Sequence, residues 1–237
     1  MIISHHHKFV FIKTSKTAGT SIEWLLSMAL KDGDCLTRIP EEKERSSLIK
    51  TSKLVYLDDT HGIRSHSPLS SAHLHYPESK DYYSFAVLRN PYTRTVSGFR
   101  YRKRDKILEI LKKEKDQKTQ GRLIREQFNQ YIRGKQMLAM LNKGLRNLTY
   151  VDTNDNIQSI DHIIRFESLE ASLTKTINRL GLDINILDMP RLKSDTPKIP
   201  SYIKLWTQEN RRLIRGMFAW ELMHLDYEEP EPFQSKR

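Results

Sequence analysis

The chain has 237 residues, of which 38% are hydrophobic and 29% are charged. This length and apolar content suit a folded domain with its own core and exclude a disordered chain. No stretch holds the roughly 18 apolar residues of a membrane span, and we see no charged leader with a cleavage site, so we expect a cytoplasmic protein. The single cysteine, Cys35, excludes an internal disulfide and disfavours a cysteine-based zinc site.

The net charge of +11 comes from 40 lysines and arginines against 29 acidic residues. This excess favours anionic partners such as nucleotides, nucleic acid, acidic lipids or acidic glycans, and composition does not choose among them. Much of the excess lies in residues 100–135, where a solvated helix face is the simpler explanation.

The first structural unit is predicted to be a strand, a tight turn and a helix. "KFVFIK" (8–13) is a short β-branched and aromatic run that ends at small polar residues, as a buried strand does. Apolar residues from Ile22 to Ala29 then recur at helical spacing. Thr20 and Glu23 have the spacing of a capping box, which predicts that this helix begins at Thr20.

Three further buried strands are predicted at 53–59, 82–88 and 160–166. Asn90 and Pro91 follow the third strand as the N-cap and first position of another helix. Strands that alternate with helices predict an α/β fold, a three-layer sandwich with a central parallel sheet and helices on both faces.

Two more helical stretches complete the prediction. Residues 104–147 are helical in pattern and highly charged, and we interpret them as a helical insertion into a single domain that covers residues 1–237. A last helix is predicted at about 207–222.

The turn after the first strand, "SKTAGTS" (15–21), is the first candidate site. Its backbone N–H groups can converge on an anion, and the helix that follows adds the positive end of its dipole. The phosphate would then lie against a set of small polar residues and one lysine: Lys16, Thr17, Gly19, Thr20 and Ser21. The alternative is an ordinary helix cap with a solvated lysine. The common ATP and GTP loop has its lysine after a glycine, whereas Lys16 precedes Gly19, which indicates a donor other than ATP.

"LRNPYTRTVSGF" (88–99) is the second candidate site. Arg89 stands where a strand ends, at the edge where parallel sheets bind ligands, and Ser97 lies in the next helix with Arg94 on the same face. An arginine and a hydroxyl can bind a second phosphate, although Arg89 alone could be a structural ion-pair residue. Two anion sites on neighbouring strand–helix units predict a nucleotide that is phosphorylated at two separate places.

These two segments resemble the sulfotransferase superfamily, especially its carbohydrate branch of the uronyl 2-O-sulfotransferase type. The loop of that family reads roughly P-K-T-G-G-T-S, which this chain matches except for Ser15 and Ala18. A second family element, roughly R-[ND]-P-x-x-R-x-x-S-x-[YF], is matched at every position by residues 89–99. "IIRFESLEASL" (163–173) is similar to a further segment of the family, whereas the 104–147 insertion has no clear counterpart.

The resemblance implies that the donor is 3′-phosphoadenosine 5′-phosphosulfate. The 5′-phosphosulfate would bind the loop from Lys16 to Ser21, including Ala18, and the 3′-phosphate would bind Arg89 and Ser97. Lys16 would contact the oxygen that bridges phosphate and sulfuryl group, where negative charge grows as the bond breaks. The scheme requires no metal.

Sulfuryl transfer to an alcohol needs a general base, and histidine suits this task near neutral pH. Residues 58–76 contain His61, His66, His73 and His75 between two predicted strands. Related enzymes carry a histidine in this connection, and "SHSPLSSA" (65–72) fits their pattern, so we prefer His66 as the base, with His61 as the alternative. Any of these histidines could instead be a surface loop residue.

Three arginines are candidates for binding an acidic acceptor: Arg64, Arg100 and Arg102. Arginines on a basic helix can also be merely solvated.

The predicted function is therefore sulfuryl transfer to an acceptor hydroxyl, on a saccharide by family resemblance, by in-line displacement. The first alternative is a nucleotide kinase or hydrolase that uses Mg-ATP, because "LVYLDD" (54–59) resembles a strand that ends in a magnesium-binding aspartate. The second is a basic nucleic-acid-binding module, although no RNA or DNA motif accompanies the charge and we expect no nucleic-acid partner.

Overall fold

The computed structural model describes residues 1–40, 42–47, 49, 53–134, 137, 160–192 and 196–229. The chain divides into two compact units. The first consists of Met1–Arg89 and Gly144–Leu192, and the second of Asn90–Lys143 and Lys193–Arg237.

One six-stranded mixed sheet forms the centre of the first unit, in the order β4-β3-β1-β2-β5-β6. Its strands are β1 (Ile2–Ser4), β2 (Phe9–Ile12), β3 (Cys35–Leu36), β4 (Val55–Tyr56), β5 (Tyr83–Leu88) and β6 (His162–Arg165). Strand β1 is antiparallel to both of its neighbours, and the other pairs are parallel.

The described helices are, in chain order, α1 (Gly19–Ser27), α2 (Glu42–Ser46), α3 (Leu57–Thr60), α4 (Leu69–His75), α5 (Pro91–Arg102), α6 (Arg104–Lys113), α7 (Gln117–Arg133), α8 (Leu169–Arg179), α9 (Gln208–Met217) and α10 (Ala219–His224). Short 3₁₀ turns occupy Pro77–Asp81, Phe166–Ser168 and Ile186–Asp188. No helix in these ranges is both long and apolar enough to cross a membrane.

The register of the parallel strands aligns their carboxyl ends. Ile12 of β2 pairs with Ala86 of β5, and Leu88 of β5 pairs with Arg165 of β6. The residues that follow β2, β5 and β6 therefore leave the sheet at one edge, which we call the carboxyl edge.

Both faces of this sheet are covered by buried apolar clusters. Alternate side chains of a strand point to opposite faces, so a single strand can contribute to both clusters. Phe9, Phe11 and Phe85 share one buried cluster with apolar residues of α1 and α8. Val10 shares a second cluster with Ala86 and with residues of α3 and α4. This arrangement confirms the predicted α/β sandwich.

The sheet differs from the prediction in strand direction, in the number of strands and in the length of β4. It is mixed rather than parallel because β1 runs antiparallel to its neighbours, and neither β1 nor β3 was predicted. The predicted strand at 53–59 is a strand only at Val55–Tyr56, and the chain then turns into α3.

The second unit is helical in the part that the structure describes. Asn90 caps α5 by accepting a hydrogen bond from the backbone N–H of Tyr92, with Pro91 at the first turn, as predicted. Tyr92 and Phe99 of α5 pack in one buried cluster with apolar residues of α6, α7 and α9.

The helical prediction for the insertion is confirmed at 104–113 and 117–133, and residues 135–136 and 138–147 lie outside the described part. The last predicted helix is two helices, α9 and α10, separated at Phe218.

Candidate functional site

The turn between β2 and α1 has the backbone shape of an anion-binding loop. Lys16 and Ala18 both have left-handed backbone angles, with φ of 65° and 58°. Left-handed residues within a turn direct successive N–H groups into one concavity, where they can bind an anion. Helix α1 begins at Gly19, and its N-cap residue, Ala18, supplies no capping side chain. The N-cap residue of α1 thus adds no side-chain hydrogen bond to the first N–H groups of the helix.

Hydrogen bonds from two threonines hold the loop against the sheet. The Thr14 hydroxyl donates to the backbone carbonyl of Val87 in β5 and lies 2.9 Å from the Thr17 hydroxyl. Thr17 Oγ1 also donates to the carbonyl of Thr14, at 3.1 Å. The side chain of Thr17 is therefore engaged inside the loop.

The rest of the predicted loop set is largely buried at the start of α1. Thr20 is 8% exposed and Ser21 is 3% exposed. The Ser21 hydroxyl accepts a hydrogen bond from the backbone N–H of Leu192, at 3.2 Å.

Glu23 does not act as the predicted capping residue. Its side chain is completely buried, pairs with the Lys13 ammonium group, and also contacts the Thr37 hydroxyl and the Met1 amino group. Burial alone would raise the pKa of Glu23, but the nearby positive charges of Met1 and Lys13 lower it overall. The capping-box prediction was wrong because Glu23 turns toward these buried cations.

Arg89 joins the loop to the sheet at the carboxyl edge. It follows β5, and its Nη1 donates to the backbone carbonyl of Lys16 at 3.4 Å. Its guanidinium carbon lies 4.3 Å from the ring centre of Phe166, which follows β6. The structure thus brings two of the predicted site residues, Arg89 and Lys16, together.

The other predicted residues of the second motif lie in the second unit. Ser97 is a half-buried residue of α5, and Arg94 is 6% exposed, with its guanidinium 5.6 Å from the Phe218 ring centre. Arg100 donates to the backbone carbonyls of residues 197 and 196, at 2.7 and 3.1 Å. Arg102 is exposed at the end of α5.

His66 lies at the carboxyl end of β2, where the turn to α1 begins. Its Nδ1 is 2.9 Å from the backbone carbonyl of Lys13. A carbonyl oxygen only accepts hydrogen bonds, so Nδ1 carries the proton and Nε2 keeps its lone pair. Burial lowers the pKa of His66 below its usual value, which keeps the ring neutral near pH 7. This is the protonation state that a general base requires.

His61 makes a different contact. Its Nε2 is 3.1 Å from the Tyr76 hydroxyl, and its ring stacks on that of His75 with the ring centres 4.5 Å apart. His73 is half-buried, and burial lowers its pKa. His66, by contrast, contacts the start of the turn between β2 and α1, through the carbonyl of Lys13. Arg64 is exposed two residues before His66.

The two aspartates of "LVYLDD" bind an arginine. Asp58 accepts a hydrogen bond from the backbone N–H of Arg38, and Asp59 pairs with the Arg38 guanidinium. They follow β4, an outer strand that β3 and β1 separate from β2. Their position does not favour a magnesium site next to the loop. No group of three or more His, Cys, Asp or Glu side chains in the described ranges is placed to hold a metal ion.

Sequence reasoning missed Lys13 and Phe166 as parts of this site. The strand prediction for 8–13 includes Lys13 as its last residue, although a lysine that ends a buried apolar run indicates a buried counter-charge. Phe166 lies in the 163–173 segment that resembles the family, but its contact with Arg89 depends on the pairing of β5 with β6, which the sequence does not show.

An α/β sheet, a loop of anion-binding shape after β2 and an arginine after β5 are the features with which proteins of this class can bind a phosphorylated ligand at the carboxyl edge. The sequence model of the sulfotransferase family matches residues 1–226. The chain therefore belongs to the sulfotransferase family, whose members are transferases.

Two further comparisons add little to this assignment. No curated protein matches the chain. A sulfotransferase from Alicyclobacillus acidocaldarius of known crystal structure is 15% identical, with a TM-score of 0.32 over 92% of this chain and 94% of that chain. A likeness of that degree carries no argument about the site.

Proposed function

We propose that this protein transfers a sulfuryl group from 3′-phosphoadenosine 5′-phosphosulfate to a hydroxyl group of a saccharide. The observation that supports this most directly is the hydrogen bond from His66 to the Lys13 carbonyl, which sets a neutral imidazole beside an anion-binding loop. A base adjacent to a phosphosulfate loop is what transfer to an alcohol needs.

In this mechanism the acceptor hydroxyl attacks sulfur in line with the leaving phosphate oxygen. His66 Nε2 takes the hydroxyl proton, and Lys16 neutralises the charge that develops on the leaving oxygen. The loop N–H groups from Lys16 to Ser21 hold the 5′-phosphosulfate, with Arg89 bracing the loop through the Lys16 carbonyl.

The remaining contacts to the donor are assigned from the motif match, and those to the acceptor from the basic side chains of the sequence. Arg89 and Ser97 bind the 3′-phosphate of the donor, since an arginine fork and a hydroxyl supply complementary donors. Arg64 and Arg102 bind an acidic acceptor. Arg100 shares this role only through the N–H groups that its bonds to residues 196 and 197 leave available.

Calorimetry tests the donor. The full chain should bind 3′-phosphoadenosine 5′-phosphate at least tenfold more tightly than ATP, with no requirement for magnesium. Tight, magnesium-dependent ATP binding and turnover would instead support the kinase alternative.

Turnover tests the chemistry. With labelled donor and a panel of glycans, Lys16→Ala should reduce transfer by about 10²–10³-fold, as loss of a group that stabilises developing charge does. Undiminished transfer by Lys16→Ala would overturn the assignment.

A further inference from the structure

Lys13 is a nearly buried residue that lies between the loop and His66 and has no role in the mechanism above. It follows β2 directly, and its side chain is 7% exposed. We propose that Lys13, with Glu23 as its counter-ion, is a positioning residue that fixes the loop and the His66 ring together. The catalytic meaning of this inference rests on the proposed function, but the geometry does not.

The stem of Lys13 supports the loop. A Cβ atom added to Gly19 would lie 2.6 Å from Cγ of Lys13 and 3.3 Å from its Cε. The stem therefore packs directly on the backbone at residue 19, where the loop becomes α1. A side chain at residue 19 could enter only if the stem moved.

Glu23 prevents that movement. It binds the Lys13 ammonium group through one carboxylate oxygen, and its other oxygen binds the Thr37 hydroxyl and the Met1 amino group. The carboxylate is fully buried, so the loss of its cations would leave an uncompensated charge. The lysine stem is thus held at both ends, by its own backbone and by α1.

The backbone carbonyl of Lys13 holds the imidazole. With the side chain anchored, the peptide group at residue 13 has a fixed direction, and its oxygen accepts the proton on His66 Nδ1. That bond selects the tautomer in which Nε2 is the basic atom. Movement of Lys13 would thereby release the loop and the base at once.

The pair also acts on His66 through its charges. The charged groups that act on this ring include the Lys13 ammonium group, the Met1 amino group and the Glu23 carboxylate. The Lys13 ammonium group opposes protonation of the ring, and the carboxylate favours it. The Met1 amino group opposes it only while protonated, and burial lowers the pKa of this amino group to about 6. Removing one member of the pair should therefore change the proton affinity of His66 in the direction opposite to removing the other.

The test is an NMR pH titration of the full chain labelled with ¹⁵N-histidine, with His66 assigned by its loss in His66→Asn. The wild type should show the Nδ1–H tautomer and a pKa below the usual histidine value. Lys13→Met keeps the stem but not the charge, and should raise the proton affinity of His66 about threefold and mix the two tautomers. Glu23→Gln should lower that affinity.

A matched control removes the same charge elsewhere. Lys31→Met changes an exposed lysine beyond the end of α1 and should leave the His66 titration unchanged. If Lys13→Met does not fold, Glu23→Gln and the double variant Lys13→Met/Glu23→Gln carry the test, and His66 should have a higher proton affinity in the double variant than in Glu23→Gln.

Shifts of the same sign in Lys13→Met and Glu23→Gln, or no shift in either, would overturn the inference. The titration requires no turnover, so its failure and the failure of the proposed function are separate results. A protein without sulfuryl transfer but with opposite shifts would refute only the proposed function.

Discussion

At the scale of single residues, His66 offers the sharpest test of the site. Asparagine in its place can still donate a hydrogen bond to the Lys13 carbonyl but cannot accept a proton. We expect His66→Asn to reduce turnover by about 10²–10⁴-fold, the usual contribution of a general base, while calorimetry shows unchanged binding of 3′-phosphoadenosine 5′-phosphate. His61→Asn is the control and should retain activity because His61 bonds to Tyr76 instead. A reversed result would make His61 the base.

The lowered pKa of His66 predicts how activity depends on pH. Burial stabilises the neutral ring, so the base is available at lower pH than an exposed histidine would be. We expect kcat/KM to be constant from about pH 7 to 8 and to fall only below about pH 6.5, the ordinary histidine value. The same shift makes His66 contribute stability above that value, and this stability is lost as the pH falls toward the folded pKa. If kcat/KM already declines above pH 7 as the pH is lowered, the assignment is contradicted.

Ala18 carries a backbone strain that glycine would not. Its φ of 58° lies in the left-handed region, which costs a residue with a Cβ roughly 1–2 kcal/mol. Glycine also gives the unfolded chain more conformational freedom than alanine, and this offsets about 0.4–1 kcal/mol of the gain in stability. We therefore expect Ala18→Gly to raise the free energy of unfolding by about 0.5 kcal/mol, measured by urea denaturation. A loss of more than about 1 kcal/mol would show that the alanine methyl packs favourably here.

At the scale of elements, α5 and α7 approach each other closely at Gly98. A Cβ at that position would lie 2.4 Å from the Tyr131 hydroxyl, which is buried and has no hydrogen-bond partner among the described residues. We expect Gly98→Ala to cost about 1–3 kcal/mol of stability through overpacking.

Removing the hydroxyl should relieve this clash. Tyr131→Phe alone should be neutral or stabilising, since it removes an unsatisfied buried hydroxyl. In Gly98→Ala/Tyr131→Phe, most of the lost stability should return. Thermal unfolding of the four proteins measures this, and strictly additive effects would contradict a direct contact.

The elements that the sequence could predict are those with a strong periodic signal. β2 is a continuous apolar run, β5 is one apart from Ser84, and Asn90 with Pro91 marks the start of α5. β1 and β3 have three and two residues, which is too short for a pattern to emerge. Their positions follow from pairing with other strands, which no local window contains.

The candidate site shows the same division. Lys16 and Arg89 could be predicted because each follows a strand and belongs to a motif. The contact of Arg89 with Phe166 and that of Lys13 with Glu23 could not, because each depends on side-chain direction in the folded chain. Glu23 shows the limit most clearly, since its spacing from Thr20 fits a capping box and its burial overrides that preference.

At the scale of the whole molecule, the charge of +11 should govern acceptor binding. If the acceptor is an acidic glycan, its affinity should fall at least tenfold between about 0.05 M and 0.5 M salt, because exposed charges are screened over a Debye length of about 10 Å at 0.1 M. A neutral saccharide should show no such dependence. Arg102→Ser should weaken binding of the acidic glycan, whereas Lys112→Ser, which changes an exposed lysine of α6, should not. Equal effects of the two variants would indicate non-specific attraction.

The pairing of β5 with β6 has a consequence for synthesis of the protein. Ser84 of β5 bonds to Asp161, which lies just before β6 and 77 residues further along the chain. Helices α5, α6 and α7 lie between these two residues in the sequence. A nascent chain that has just released β5 from the ribosome therefore leaves Phe85 and Val87 without Ile164 and Leu173, their partners in the same cluster. Until those later residues emerge, β5 has an unpaired edge and its apolar side chains are exposed to solvent. We expect a chaperone to matter most in this interval.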